Sequence, residues 1–375
     1  MSAAARHLYV HLPFCRHRCG YCDFVTVVGG RAEHGAYVDA VLAELRLERE
    51  RLAPEPDTIF LGGGTPTFTE PESLRRLLAA LPQAPELTVE ANPETITAAL
   101  ARLLREGGVT RVSLGAQSFA APLLATLERR AGPDDVCRAF ALLRAAGFDN
   151  LSLDLVYGIP GQSPDDLDRD LEAALALRPE HLSLYELEAK PGTRFTYAHG
   201  AELEAQAEAM ETYFERVVER LDAAGFRWYE TANFCLPRER AGGRDLRSQH
   251  NLAVWLGRDY LGVGLGAVST LEGLRRRNTP RLPLYLRSLA AGGAPPRELE
   301  PLSAEIRRQE RVLLGLRLDE PLSLQGLEGA LDRTALERLD RLGLAALGSD
   351  GEAETLALTR RGRFLGGGVT AELLV

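Results

Sequence analysis

Lysine is almost missing from this 375-residue chain, in which Lys190 is the sole lysine among 44 basic residues. The arginine used in its place, beside abundant alanine, leucine and glycine, has the look of genome-wide codon bias. A single arginine is therefore weak evidence of anion recognition, and the run Arg275, Arg276 and Arg277 is discounted for that reason. A basic excess is lacking as well. The formal net charge is -9 and the pI is about 5.5, which argues against nucleic acid as a partner because phosphate neutralisation needs clustered positive charge. No apolar run approaches the roughly 20 residues that span a bilayer, and the N-terminus lacks the basic, apolar and small-residue regions of a signal peptide. A cytoplasmic location is expected. The cysteines do not make a disulfide framework: three of the five fall between positions 15 and 22, which suits a metal or redox site in a reducing compartment. Cys137 and Cys235 stand apart and are expected to be buried thiols that pack as small hydrophobes.

What is present is the composition of a folded globular protein, 45% hydrophobic and 26% charged, able to offset chain entropy by burial. The first two thirds repeat a short apolar or alternating run followed by a longer amphipathic stretch, the pattern of successive βα units. Six strands are expected, at Leu8–Phe14, Thr58–Gly62, Glu86–Ala91, Arg111–Gln117, Asn150–Val156 and His181–Glu186. In the first intervening helix, Tyr37, Val41, Leu45 and Leu52 fall near one face, while Glu44, Arg46, Glu48 and Arg49 are expected to face solvent. Six parallel units favour an α/β architecture built as a partial (β/α)6 barrel over an open doubly wound sheet. The polar residues tilt that choice. Cys15, Gly63, Gly64, Thr65, Glu90, Gln117, Asp154 and Glu186 are expected at or just beyond strand ends, the rim where barrel sites are built.

Domain limits are expected at 1–232 for the barrel and 233–300 for an extension of irregular period. A small α+β domain resembling a winged helix follows at 301–375, with a helix at Ala304–Arg317, two shorter helices near Leu322–Leu342 and strands near Leu344–Leu347 and Thr355–Leu358. Its 10 arginines against 13 acidic residues between Glu300 and Val375 disfavour DNA binding and point to a structural or docking module.

Cys15, Cys19 and Cys22 form C-x3-C-x2-C directly after the first strand, so one short loop can wrap three thiolates around a single metal centre. A 4Fe-4S cubane held by three cysteines keeps one iron free of protein ligands, unlike structural clusters held by four. The competing reading is a zinc site with His11 or His17 as the fourth ligand. Further on, Gly62-Gly63-Gly64-Thr65-Pro66 offers backbone groups unshielded by side chains. Glu90, in Val89-Glu90-Ala91-Asn92-Pro93, carries acceptor-only oxygens suited to hydroxyl groups.

This set of motifs resembles the radical S-adenosylmethionine superfamily, in which C-x3-C-x2-C binds the cluster and an aromatic residue, Tyr21 here, precedes the third cysteine. The resemblance implies a 4Fe-4S cluster on Cys15, Cys19 and Cys22, with S-adenosylmethionine chelating the open iron. One-electron reduction would then yield a 5'-deoxyadenosyl radical. It also implies a pocket for S-adenosylmethionine made by Tyr9, Tyr21, Gly63, Gly64, Thr65, Glu90, Gln117, Arg129 and Asp154. The glycines would take the methionine amino group and Glu90 the ribose hydroxyls.

Within the superfamily, Leu8-Tyr9-Val10-His11-Leu12-Pro13-Phe14-Cys15, the glycine motif, Val89–Pro93 and Asp154-Leu155-Val156-Tyr157-Gly158-Ile159-Pro160-Gly161 resemble the oxygen-independent coproporphyrinogen oxidase group. Its oxidases carry another cysteine two residues after the third cluster cysteine, where this chain has Phe24, and a longer segment before the first. With fourteen residues ahead of Cys15, the chain is expected to lack that extension. Both departures resemble the heme chaperone branch, marked by His-Asn-x-x-Tyr-Trp. Here that segment reads His250-Asn251-Leu252-Ala253-Val254-Trp255, with Val254 in the place of tyrosine. The resemblance implies heme as cargo, His250 as a heme contact, recipient hemoproteins of the respiratory chain, an electron donor for the cluster, and room for peripheral contact with a membrane. The alternative activity is oxidative decarboxylation of coproporphyrinogen III.

Overall fold

Runs of apolar residues bounded by glycine, proline and acidic side chains become buried strands, and the segments between them coil so that one stripe of apolar residues faces the sheet. In the computed structural model, which describes residues 4–188, 190–351 and 353–375, β1 spans His7–Leu12, β2 Thr58–Gly63, β3 Glu86–Ala91, β4 Arg111–Gln117, β5 Leu151–Tyr157 and β6 His181–Glu186. Neighbours in sequence pair in parallel from β1 through to β6. Ile59 and Leu61 of β2, and Val10 and Leu12 of β1, are wholly buried.

The described residues gather into two compact units, one formed by the chain up to Tyr213 with Asp259–Leu299, the other by Phe214–Arg258 with Glu300–Val375. The segment 233–300 is thereby divided: its part up to Arg258 falls in the second unit and its part from Asp259 to Leu299 in the first. In the first unit this returning segment lays the strand Leu261–Val263 parallel to β1, with Leu8 opposite Leu261. It continues as the hairpin Val268–Leu271 and Leu274–Asn278.

That return explains a correction. Glu44 belongs to α1, His34–Leu47, and instead of facing solvent it is fully buried, as is most of Glu48. Its carboxylate accepts from Gly264 N at 2.9 Å, Asn278 Nδ2 at 2.7 Å, Tyr285 Oη at 2.6 Å and Arg297 Nη2 at 3.0 Å. Arg297 also donates to Glu48 at 2.7 Å. Every one of these partners lies beyond position 259, so the face of α1 that looks polar is an internal polar contact. Leu52 is buried as expected, but lies in extended chain after α1 has ended. Cys235 is buried, whereas Cys137 is exposed, because its neighbour Val136 takes the inward position on the helix Pro133–Ala145.

The second unit contains the antiparallel pair Arg227–Glu230 and Asn233–Cys235, the helix Gln249–Trp255, and a C-terminal part with helices Ala304–Gly315 and Arg333–Arg341. Its three-stranded antiparallel sheet joins Leu322–Ser323 and Ala345–Asp350 to either side of Ala353–Leu358. Val312, Leu336, Leu339, Leu356 and Leu373 form its core. Only one of the two helices expected near Leu322–Leu342 is present. Gly326 and Gly329, at φ of 78° and 82°, interrupt helical backbone, and Leu322 is used in the sheet. Among the described residues no helix is long and apolar enough to cross a membrane.

Candidate functional site

β1 delivers the chain to a short strand, Phe14–Cys15, which pairs in parallel with Val27–Val28 and so closes the loop that bears the three cysteines. Cys15 is buried, Cys19 and Cys22 are half-buried, and Cys22 N donates to Cys19 O at 3.2 Å within the loop turn. Burial pushes the Cys15 thiol up to about 11, so a metal centre must displace its proton on binding.

Of the two histidines that could complete a zinc site, His11 is not free to do so. His11 has both ring nitrogens engaged, Nδ1 with Tyr9 Oη at 3.0 Å and Nε2 with Val25 O at 2.8 Å. His17 Nε2 lies 3.8 Å from Glu128. Among the described residues no three His, Cys, Asp or Glu side chains converge tightly enough to bind one metal ion. A donor set of three thiols on one loop, without a fourth side chain, fits an iron-sulfur cubane, which spreads its thiolates over different irons.

The glycine turn after β2 runs against this loop. Gly64 N donates to Leu12 O and Thr65 N to Phe14 O, each at 2.9 Å. A Cβ on Gly64 would stand 2.4 Å from Pro13 O, and Gly63 holds a φ of 113°, so the two positions require glycine for different reasons: close approach and conformation. Glu90 on β3 reaches over the turn, and burial pushes its carboxyl up to about 7. Gln117, at the end of β4, holds a φ of 67°, a left-handed conformation uncommon for a residue with a side chain. The backbone irregularity between Gly115 and Gln117 re-aims the strand end there.

Arg129 is not a solvent-facing helical arginine. Its Nη2 donates to Asn92 Oδ1 at 2.7 Å and Gly115 O at 2.8 Å, and its Nη1 to Cys19 Sγ at 3.7 Å. Asn92 Nδ2 donates in turn to Thr65 Oγ1 at 3.0 Å, and Thr65 Oγ1 lies 3.4 Å from Cys15 Sγ. Asn92 sits inside the Val89–Pro93 motif, in which sequence reasoning singles out only Glu90. Tyr21 packs edge-on to Phe195, ring centroids 6.3 Å apart. Tyr9 stacks on Phe60 at 6.2 Å. Burial raises both phenols.

One placement differs from expectation. Asp154 lies mid-strand in β5 rather than at its end, opposite Gly115 and Ser183 in the neighbouring strands. It accepts from Ser113 Oγ at 3.0 Å and Ser152 Oγ at 3.3 Å. The hydroxyls satisfy a carboxylate whose burial raises its pKa.

His250 belongs to the second unit. It lies on Gln249–Trp255 and is 4% exposed. Trp255, one turn on, is half-buried with the Arg317 guanidinium 4.4 Å from its ring centre, and Val254 beside it is half-buried too.

The sequence profile of the Radical SAM superfamily matches residues 9–174, the stretch that carries the cysteine loop, the glycine turn, Glu90, Gln117, Arg129 and Asp154. The heme chaperone HemW of Mycobacterium tuberculosis (strain ATCC 25618 / H37Rv) is 38% identical over 98% of this chain and 94% of its own. That of Bacillus subtilis (strain 168) is 35% identical over 82% of each. The structure of coproporphyrinogen III oxidase (HemN) from Escherichia coli superposes with a TM-score of 0.79, at 22% identity, over 99% of this chain and 90% of its own, and so shares the fold. The superfamily match implies a 4Fe-4S cluster and S-adenosylmethionine as cofactors. On identity that runs through both compact units, the chain belongs to the HemW heme chaperone family within the Radical SAM superfamily.

Proposed function

We propose that the chain binds heme and hands it to hemoproteins, those of the respiratory chain in particular, using a 4Fe-4S cluster and S-adenosylmethionine. The observation that carries this reading is 38% identity with a heme chaperone over 98% of the chain. Phe24 supports it, standing where the resembling oxidases have a further cysteine. The three thiols Cys15, Cys19 and Cys22 would hold the cluster. Gly63 and Gly64 would take the methionine amino group, and Glu90 the ribose hydroxyls. Tyr9, Tyr21, Thr65, Gln117, Arg129 and Asp154 would complete the pocket. When bound, cluster and cofactor supply one-electron chemistry, and an electron donor is a required partner. A thiol site of this kind suits a reducing compartment, the cytoplasm.

For heme, His250 would supply an imidazole and Trp255 a flat apolar face. Because His250 is 4% exposed, ligation of iron requires the helix Gln249–Trp255 to shift or open.

The test is anaerobic reconstitution followed by two assays. Heme titration of the wild type should give saturable binding with a spectrum that changes in His250→Ala, and bound heme should pass to an apo-hemoprotein. Incubation with coproporphyrinogen III should leave it unconverted. Formation of protoporphyrinogen, or a failure to bind and release heme, would sink the reading.

A further inference from the structure

Three side chains from three parts of the barrel form one hydrogen-bonded chain between two of the three cysteines, and its polarity can be worked out from donor and acceptor inventories. Arg129 has only donors, so the Asn92 atom facing it at 2.7 Å is the carbonyl oxygen Oδ1. The Asn92 amide nitrogen is then the atom that faces Thr65 Oγ1 at 3.0 Å, as donor. Thr65 accepts from Asn92 and has its own hydroxyl proton left to give. A cysteine bound to iron is a thiolate and can only accept, so Thr65 must donate to Cys15 Sγ, 3.4 Å away. At the other end Arg129 donates to Cys19 Sγ at 3.7 Å. Cys22 is served apart from this bridge: Arg18 donates to its carbonyl oxygen, and its sulfur has the Phe24 backbone N–H as hydrogen-bond partner.

We propose that Asn92 is a positioning residue for the cluster: by orienting Thr65 and Arg129 it aims one side-chain donor at each of the thiolates of Cys15 and Cys19. The inference rests on the cluster reading above but not on heme. Hydrogen bonds to cluster sulfurs are a principal control of reduction potential, and partners that orient them tune a metal site much as its ligands do. A donor at a thiolate draws electron density from sulfur and favours the reduced, more negative cluster. The bridge therefore raises the potential of this cluster.

The test is a redox titration of the reconstituted full chain, followed by electron paramagnetic resonance, without S-adenosylmethionine. Thr65→Val removes the hydroxyl, Thr65→Ser keeps it, and Asn92→Leu replaces the amide by a neutral side chain of the same shape. Thr65→Val and Asn92→Leu should lower the reduced fraction at a fixed potential about tenfold, a shift of 59 mV to the negative for a one-electron couple. Thr65→Ser should match the wild type. Wild-type potentials in Thr65→Val and Asn92→Leu, at full iron and sulfide content, would overturn the proposal. If Thr65→Val cannot hold a cluster, Asn92→Leu decides alone, since Asn92 contacts neither sulfur. If neither variant loads, the wild type decides: after exchange into deuterated water the reduced cluster should show coupling to exchangeable deuterons, and no coupling overturns the bridge. A wild type that takes up no iron and sulfide overturns the cluster reading and this inference together, whereas failure of heme transfer alone leaves the bridge standing.

Discussion

Gly63 N donates to Glu90 Oε2 at 3.0 Å, tying the glycine turn after β2 to the carboxylate on β3. Before any ligand arrives, the turn's amide and the carboxylate hold each other in place. Burial nevertheless pushes Glu90 up to about 7, so near neutrality the group is divided between its acid and its acceptor-only form. Below that value the folded chain holds a proton that the unfolded chain releases at ordinary carboxylate pKa. Stability from this group is thus present at low pH and lost as pH rises through about 7.

The binding of S-adenosylmethionine should run the other way, because ribose hydroxyls need the ionised acceptor. Affinity measured by calorimetry on the reconstituted chain should rise about tenfold between pH 6 and pH 8, the change in ionised fraction around a pKa near 7. Glu90→Gln should bind more weakly and lose this pH dependence. An equally steep profile in Glu90→Gln would assign the titration to another group.

Cluster loading should depend on the loop cysteines alone. Cys19→Ala should lower acid-labile sulfide and iron to background after anaerobic reconstitution, while Cys137→Ala, at an exposed helical position, should load as the wild type does. Retention of stoichiometric zinc in place of iron would refute the donor-set argument.

Gly64→Ala should disturb the cluster loop through the backbone. The added Cβ meets Pro13 O at 2.4 Å, two residues before Cys15, and the overlap should cost about 1–3 kcal/mol of stability and weaken S-adenosylmethionine binding at least tenfold. Gly367→Ala, with nothing within 4 Å of its added Cβ, is the control and should melt as the wild type. Equal behaviour of the two variants in denaturant unfolding and ligand titration would remove the close approach as a constraint.

Glu44→Ala should be among the most damaging substitutions outside the site. It leaves Arg297 and Tyr285 facing a cavity in the first unit, and breaking a buried hydrogen-bonded charge pair typically costs about 3–5 kcal/mol. Denaturant midpoints report the loss directly, and a midpoint within error of the wild type would show that water replaces the carboxylate.

Six strands were legible to within about two residues because each is a buried apolar run closed by glycine, proline or a charge, and β4 and β6 begin and end where expected. The pairing of the returning segment was not legible. Leu261–Val263 is a three-residue strand in a glycine-rich stretch, too short for any period to show, and it is chosen by the open edge of β1. Glu44 illustrates the same limit. Helical spacing assigned it to a polar face, and what covers that face comes from residues 264–297. Asp154 was picked out by its motif but placed too near the rim, because motif membership says nothing of depth along a strand.

By itself, then, the amino-acid sequence determined the three-cysteine loop, since C-x3-C-x2-C lies within eight consecutive residues, and the parallel order of strands, since each strand carries its own apolar pattern. Only the tertiary structure decided which side chains answer those cysteines. Thr65, Asn92 and Arg129 meet across separations of 27 and 37 residues, and Arg129 reaches Cys19 across 110. No local pattern records such contacts, because they depend on how far each strand advances before it ends and on which loop end it then faces.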